Sequence, residues 1–160
     1  MGYRYFDTFD KQVAYPFGYG LSYTTFEFAK PAVKVSGDVV NVSVTIKNTG
    51  KVAGKEVAQV YVTAPKGKLQ KPVQELKAFS KTRMLQPGES ETLTMTIDKR
   101  DLASFDEAVS QWVADAGIYT FRIGASSRDI KLTATAKLTQ YTEQAHNAMA
   151  PRQALNLLKQ

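Results

Sequence analysis

The chain has 160 residues and a net charge of +6, with 43% hydrophobic and 22% charged residues, a balance that suits one folded domain with a tail at each end and excludes an intrinsically disordered chain. No run of about 18 apolar residues occurs, so no membrane-spanning helix is expected. Cysteine is absent, which excludes disulfides, thiolate metal sites and cysteine nucleophiles and leaves the redox compartment open.

The first 28 residues hold ten of the seventeen aromatic side chains: Tyr3, Tyr5, Phe6, Phe9, Tyr15, Phe17, Tyr19, Tyr23, Phe26 and Phe28. Each ring buries about 150–250 Å² when covered, so ten of them need a large apolar partner. Within this segment, YPFGYGLSYT (Tyr15–Thr24) combines four rings with two glycines, a composition for close backbone approach and turning. The opening MGYRYFDTFDK lacks the basic-then-apolar plan of a secretory signal.

From about residue 23 the pattern becomes that of strands. A first strand over 23–35 contains Pro31, which suits a sheet edge where a missing N–H does no harm. Val40, Val42, Val44 and Ile46 alternate with polar residues, predicting one buried and one wet face. Val57-Ala-Gln-Val-Tyr-Val62 is apolar on both faces, as a central strand would be. Residues 75–84 read as a further strand, and Leu93, Met95 and Ile97, then Tyr119, Phe121 and Ile123, then Ile130 to Leu138, repeat the period of two. Turn chemistry separates these runs at Ser36-Gly-Asp38, Asn48-Thr-Gly50, Pro87-Gly88 and Ala116-Gly117. The fold class is therefore all-β, a sandwich of about seven antiparallel strands with irregular N- and C-terminal extensions. Asp101 is expected to cap a short helical turn, and Trp112 is expected in the sandwich core. After Leu138 the alternation fades, and two short helical turns broken by Pro151 are expected in 139–160.

The positive charge is local. Lys66, Lys68, Lys71, Lys77, Lys81 and Arg83 face only Glu75 between positions 66 and 83. No helix-turn-helix, RRM or OB signature accompanies it, so nucleic acid is not an expected partner. The stretch reads as a solvated loop, with Lys66, Lys68, Lys71 and Lys77 as contacts for an anionic or acidic-polymer ligand in the alternative reading. The single histidine, His146, lies in a polar tail and supports neither a histidine-based triad nor a zinc site. No metal or other cofactor is expected. Asp106-Glu107 and the Asp98/Asp101 pair are expected to be solvated and ionised, without the raised pKa that acid catalysis needs. Asn41-Val-Ser43 fits a glycosylation acceptor, but its place in a strand argues against use.

Gly2-Tyr-Arg-Tyr-Phe-Asp7, followed by the Tyr15–Thr24 stretch, resembles the last segment of the second catalytic domain in glycoside hydrolase family 3, the β-glucosidase-like enzymes. Asn48-Thr-Gly50, Ala53-Gly-Lys-Glu-Val-Ala-Gln-Val-Tyr61, Glu75-Leu-Lys-Ala-Phe79, Leu85-Gln-Pro-Gly-Glu89, Trp112-Val113, Gly117-Ile-Tyr119 and Gly124-Ala-Ser-Ser127 resemble the fibronectin type III-like domain that follows it. The resemblance spans about residues 2–138 and implies three parts. Residues 1–22 would end the preceding α/β domain and form the linker, 23–138 the immunoglobulin/fibronectin type III-like sandwich, and 139–160 an extension. It further implies a parent enzyme that hydrolyses terminal β-D-glucosidic bonds with retention, through two carboxylates about 5–5.5 Å apart, both upstream of this chain. The chain itself would be a non-catalytic accessory domain with the upstream catalytic domains as partner and carbohydrate as an optional one, in a periplasmic or secreted parent. Tyr5, Phe6, Tyr15, Phe17, Tyr19, Leu21 and Tyr23 would be the interdomain contact. Severed from that partner, residues 1–22 are expected to be mobile or to pack non-natively.

Overall fold

The computed structural model describes residues 2–146. Its strands, in chain order, are β1 (Phe26–Ser36), β2 (Val39–Asn48), β3 (Val57–Thr63), β4 (Glu75–Lys81), β5 (Ser90–Asp98), β6 (Ser104–Asp106), β7 (Gln111–Ala114), β8 (Gly117–Gly124), β9 (Ile130–Leu138) and β10 (Tyr141–Gln144). A six-residue helix, α1 (Tyr3–Thr8), precedes them. Seven strands form two facing antiparallel sheets, ordered β1-β2-β5 and β4-β3-β8-β9. The remaining three form a small separate sheet, β10-β7-β6.

The alternating residues meet across the sandwich as their period dictates. In the first sheet Val40, Val42 and Val44 lie opposite Ile97, Met95 and Leu93, all buried, so one pleat face is a continuous aliphatic surface. In the second, Val60 pairs with Ile123 and Val62 with Phe121, and these also enter the core. The β1–β2 hairpin turns at Gly37, where φ is +58°, a conformation glycine adopts without a Cβ penalty. Pro31 sits on the edge strand β1 at a register shift between Ala29 and Ala32, where its missing N–H costs no ladder bond.

Three expectations are corrected. Trp112 is not in the core: it is 42% exposed on β7 of the small sheet, its ring 5.5 Å from that of Phe105 on the paired strand β6. Its exposure shows that a strand position and a large ring do not by themselves bury a side chain. Asp101 caps nothing. The turn is a single 3-10 turn, Lys99–Leu102, that begins after Asp98 with no side-chain cap, and Asp101 lies within it. Residues 141–144 are strand β10, paired with β7, where a helical turn was expected. The turn expected around Pro151 lies outside the described residues.

Candidate functional site: the N-terminal aromatic face

The N-terminal segment is held on the outer face of the second sheet. Tyr3 stacks on Phe17 at 4.3 Å and meets Tyr61 edge-on at 6.1 Å. Gln59, beside Tyr61 on β3, donates through Nε2 to the carbonyls of Gly18 (3.0 Å) and Ala125 (2.7 Å). Its Oε1 accepts from the Tyr61 hydroxyl at 2.6 Å. These contacts explain why β3 is apolar or satisfied on both faces: one side belongs to the core and the other is roofed by residues 3–18. Burial, with the nearby Tyr3 and Asp7, pushes the Tyr61 phenol up from its ordinary value, so it remains a donor.

Gly18 is required by this geometry. Its φ is +80° and a Cβ there would clash with Gln59 Oε1, while that amide is fixed by its own three bonds. Arg128 completes the clamp. Its Nε donates to Asp7 Oδ1 at 2.9 Å, and its terminal nitrogen to the carbonyls of Lys11 (2.6 Å) and Phe6 (3.3 Å). Thr8 Oγ1 accepts from the Val73 amide, the Leu76 amide donates to the Tyr3 hydroxyl, and Arg4 pairs with Glu75 at 3.0 Å. Downstream, the buried Asn48 accepts from the Thr24 hydroxyl at 2.8 Å.

Residues 2–22, part of the segment expected to be mobile or to pack non-natively once severed from a partner, lie against the sandwich. The docking uses backbone and polar groups, however, and leaves most rings outside. Tyr5, Phe6, Phe9, Tyr15, Phe17, Tyr19, Leu21 and Tyr23 are all exposed, with Tyr15 at 72%, Leu21 at 89% and Tyr23 at 101%. Tyr5 lies 4.8 Å from Phe9, and Tyr15 5.4 Å from Tyr19. All seven residues predicted to form an interdomain contact thus share one short, anchored and exposed segment. Phe9, absent from that set, joins them through its contact with Tyr5.

The basic stretch is not a free cationic patch. Lys68 pairs with Asp106 at 2.8 Å. Lys71 Nζ donates to the Leu102 carbonyl at 2.9 Å, and burial lowers its pKa first of all. Lys77 donates to the Asp101 carbonyl at 2.6 Å and pairs with Glu75 at 3.3 Å. Only Lys66 of the four predicted anion contacts is exposed without a recorded partner among the described residues. Lys68, Lys71 and Lys77 staple the 66–74 loop and the start of β4 to the small sheet and the 3-10 turn.

The carboxylates do not assemble into an acid/base pair. The Lys68 ammonium beside Asp106 holds that carboxyl below its ordinary value, and the Ala108 amide adds to the effect, so it is an ionised acceptor and not a proton donor. Glu56 is raised, chiefly by burial, and shares a cavity of about 450 Å³ with Asp129. Asp129 is exposed and paired with Lys131 at 2.7 Å, whereas catalysis by a carboxylate pair needs a dry, desolvated cleft.

Two three- and four-stranded antiparallel sheets facing one another, with the strand order found here, define the chain as a fibronectin-type sandwich, and residues 56–127 match the fibronectin type III-like domain family. The chain is 45% identical to a β-glucosidase of Ruminococcus albus over 94% of its own length and 17% of that protein. It is 44% identical to an exo-α-(1→6)-L-arabinopyranosidase of Bifidobacterium longum, covering 86% of this chain and 18% of the relative. The solved structure of β-glucosidase 3B from Thermotoga neapolitana with α-D-glucose superposes with a TM-score of 0.87 at 54% identity, over 91% of this chain and 20% of that one. The chain belongs to the fibronectin type III-like domain family, is similar to one stretch of these glycosidases, and spans about one fifth or less of the length of these relatives.

Proposed function

We propose that this chain is the non-catalytic accessory domain of a family 3 glycoside hydrolase that cleaves terminal β-D-glucosidic bonds. In this reading it stabilises the catalytic domains and borders the route to their active site. The observation that carries it is the aromatic face: a segment clamped by Arg128, Asp7, Gln59 and Gly18 that nonetheless leaves Tyr15, Leu21 and Tyr23 in solvent. Exposed apolar surface concentrated on one short segment supports an interaction site, and a segment already fixed in place loses little further entropy when it is covered. Residues 1–22 supply the seam and the sandwich supplies its rigid backing. The relative named as an arabinopyranosidase carries the same domain, which supports placing sugar choice elsewhere in the parent.

The test has two arms. The isolated chain should release no chromophore from an aryl β-glucoside, while the parent protein does; turnover by the chain alone overturns the non-catalytic reading. In the parent, replacing Tyr15, Leu21 and Tyr23 with serine should lower the temperature of inactivation, and an unchanged value overturns the seam.

A further inference from the structure

Phe105 and Trp112 form an exposed aromatic pair whose surroundings are polar and fixed. The two residues are directly paired across β6 and β7, and Trp112 is in turn paired with Glu143 on β10. The three side chains therefore stand in one row on one face of the small sheet. Tyr141 and Ala114, the pair two residues along on that face, pack against the sandwich core. The face thus begins in the core and ends in solvent, with Phe105 41% and Trp112 42% exposed and their ring centroids 5.5 Å apart.

The strands that carry this row are pinned beside it. Ser110, at φ +51° just before β7, accepts through its carbonyl from the Ala145 amide at 3.0 Å and from Gln144 Nε2 at 3.1 Å. Gln111 Nε2 donates to Gln144 Oε1 at 2.9 Å. Glu143 is held by one oxygen: its Oε2 accepts from the Tyr141 hydroxyl at 2.7 Å and pairs with Arg100 Nε at 2.9 Å. Glu143 Oε1 and the two terminal nitrogens of Arg100 make no hydrogen bond among the described residues. The side chains of Glu143 and Arg100 are 35% and 66% exposed, so a ligand can reach the pair from solvent.

We infer that this face binds a neutral glycan, with a pyranose ring stacked on Phe105 and Trp112 and its hydroxyls bonded to Glu143 and Arg100. A pyranose offers positively polarised C–H bonds to the negative face of an aromatic ring, and around them a rim of vicinal hydroxyls that donate and accept. Glu143 Oε1 accepts from one hydroxyl and the Arg100 guanidinium donates to its neighbour, both in charge-assisted bonds. The two charges balance each other, so an anionic polymer gains no net attraction here. A protein surface laid over the row would strip water from the ion pair, which is costly, whereas sugar hydroxyls replace the water they displace. Rings already ordered by strand pairing lose little freedom on binding. The site lies on a different sheet from the one that carries the N-terminal rings, and it does not depend on the proposed accessory role.

The test uses the chain's one tryptophan as its reporter. Titration of the whole chain with cellotetraose or laminaritetraose should change Trp112 fluorescence saturably, and sodium sulfate should not. Phe105→Ala should weaken binding about tenfold. Glu143→Gln keeps the shape and removes the charge; it should weaken binding about fivefold, and it is the second variant should the first fail to fold, as judged by circular dichroism. Leu21→Ser with Tyr23→Ser should leave the affinity unchanged, which separates this site from the seam. Response to neither oligosaccharide overturns the inference, as do saturation by sulfate, affinity unchanged in a folded variant, and equal weakening by the Leu21 and Tyr23 replacements. In the parent, Trp112→Ala lowering the temperature of inactivation as far as the seam variant does would assign this face to a protein contact, and also overturns it.

Discussion

Aromatic side chains of the sandwich and of the N-terminal segment are handled in opposite ways. Tyr119 and Phe121 sit on alternate positions of β8 and vanish into the core, where each ring is held by the sheet that faces it. The rings after α1 sit on a segment with few backbone partners of its own. There the polar groups face the sandwich and most of the rings face solvent. In the first region apolar burial fixes the structure; in the second, hydrogen bonds fix it and the apolar surface is left over. A surplus of ring surface on an already anchored segment is the signature of a contact face, and a flexible tail would show neither the clamp nor the glycine constraint.

That contrast predicts a graded set of outcomes. Phe121→Ala should cost about 3–5 kcal/mol in chemical denaturation, because it opens a cavity between the sheets. Arg128→Gln should cost less, about 1.5–3 kcal/mol, by stranding the largely buried Asp7 carboxylate and freeing two carbonyls; hydrogen exchange should rise in residues 3–18 and stay unchanged in β2 and β5. Equal exchange in both regions would mean that the segment and the sandwich are one cooperative unit. Gly18→Ala should cost about 1–3 kcal/mol from the positive φ and the clash with Gln59, again confined to the roof. Alkaline pH tests the core more gently. Burial and then Asp115 push the Tyr119 phenol up to about 12 from 10.0. An acid whose pKa is raised by folding contributes stability that is whole below the unfolded value and is lost as pH climbs through the folded one. Melting temperature should therefore fall progressively between pH 10 and 12, less steeply in Tyr119→Phe. Last, Leu21→Ser with Tyr23→Ser should leave the stability of the isolated chain within about 0.5 kcal/mol, since neither side chain is covered; a larger loss would show that these residues support the sandwich itself.

Much of the sandwich could be read from residue order. The alternation at Val40–Ile46 and Leu93–Ile97, the two-faced burial of 57–62 and the placement of Pro31 on an edge all follow from the two-residue strand period and the loss of one N–H. The small sheet could not be read. Its strands are three or four residues long, too short to show a period, and β10 finds its partner 30 residues back along the chain. Trp112 was misjudged for the same reason: a large ring suggests a core, but only the layer above a strand decides whether a core exists there. The basic stretch was counted correctly as charge, and Lys66, Lys68, Lys81 and Arg83 are exposed; the engagement of Lys68, Lys71 and Lys77 could not be read, because the Asp106 carboxylate and the Leu102 and Asp101 carbonyls are distant in sequence.

Sequence alone therefore determined the sheet content, the facing apolar rows and the crowding of rings at the front, since these depend on local period and composition. Tertiary structure alone decided that this front segment is docked through Arg128 and Gln59, and that Lys68, Lys71 and Lys77 are engaged by groups on other elements. Those outcomes rest on groups brought together across 24 to 121 residues of chain, and no local pattern carries that information.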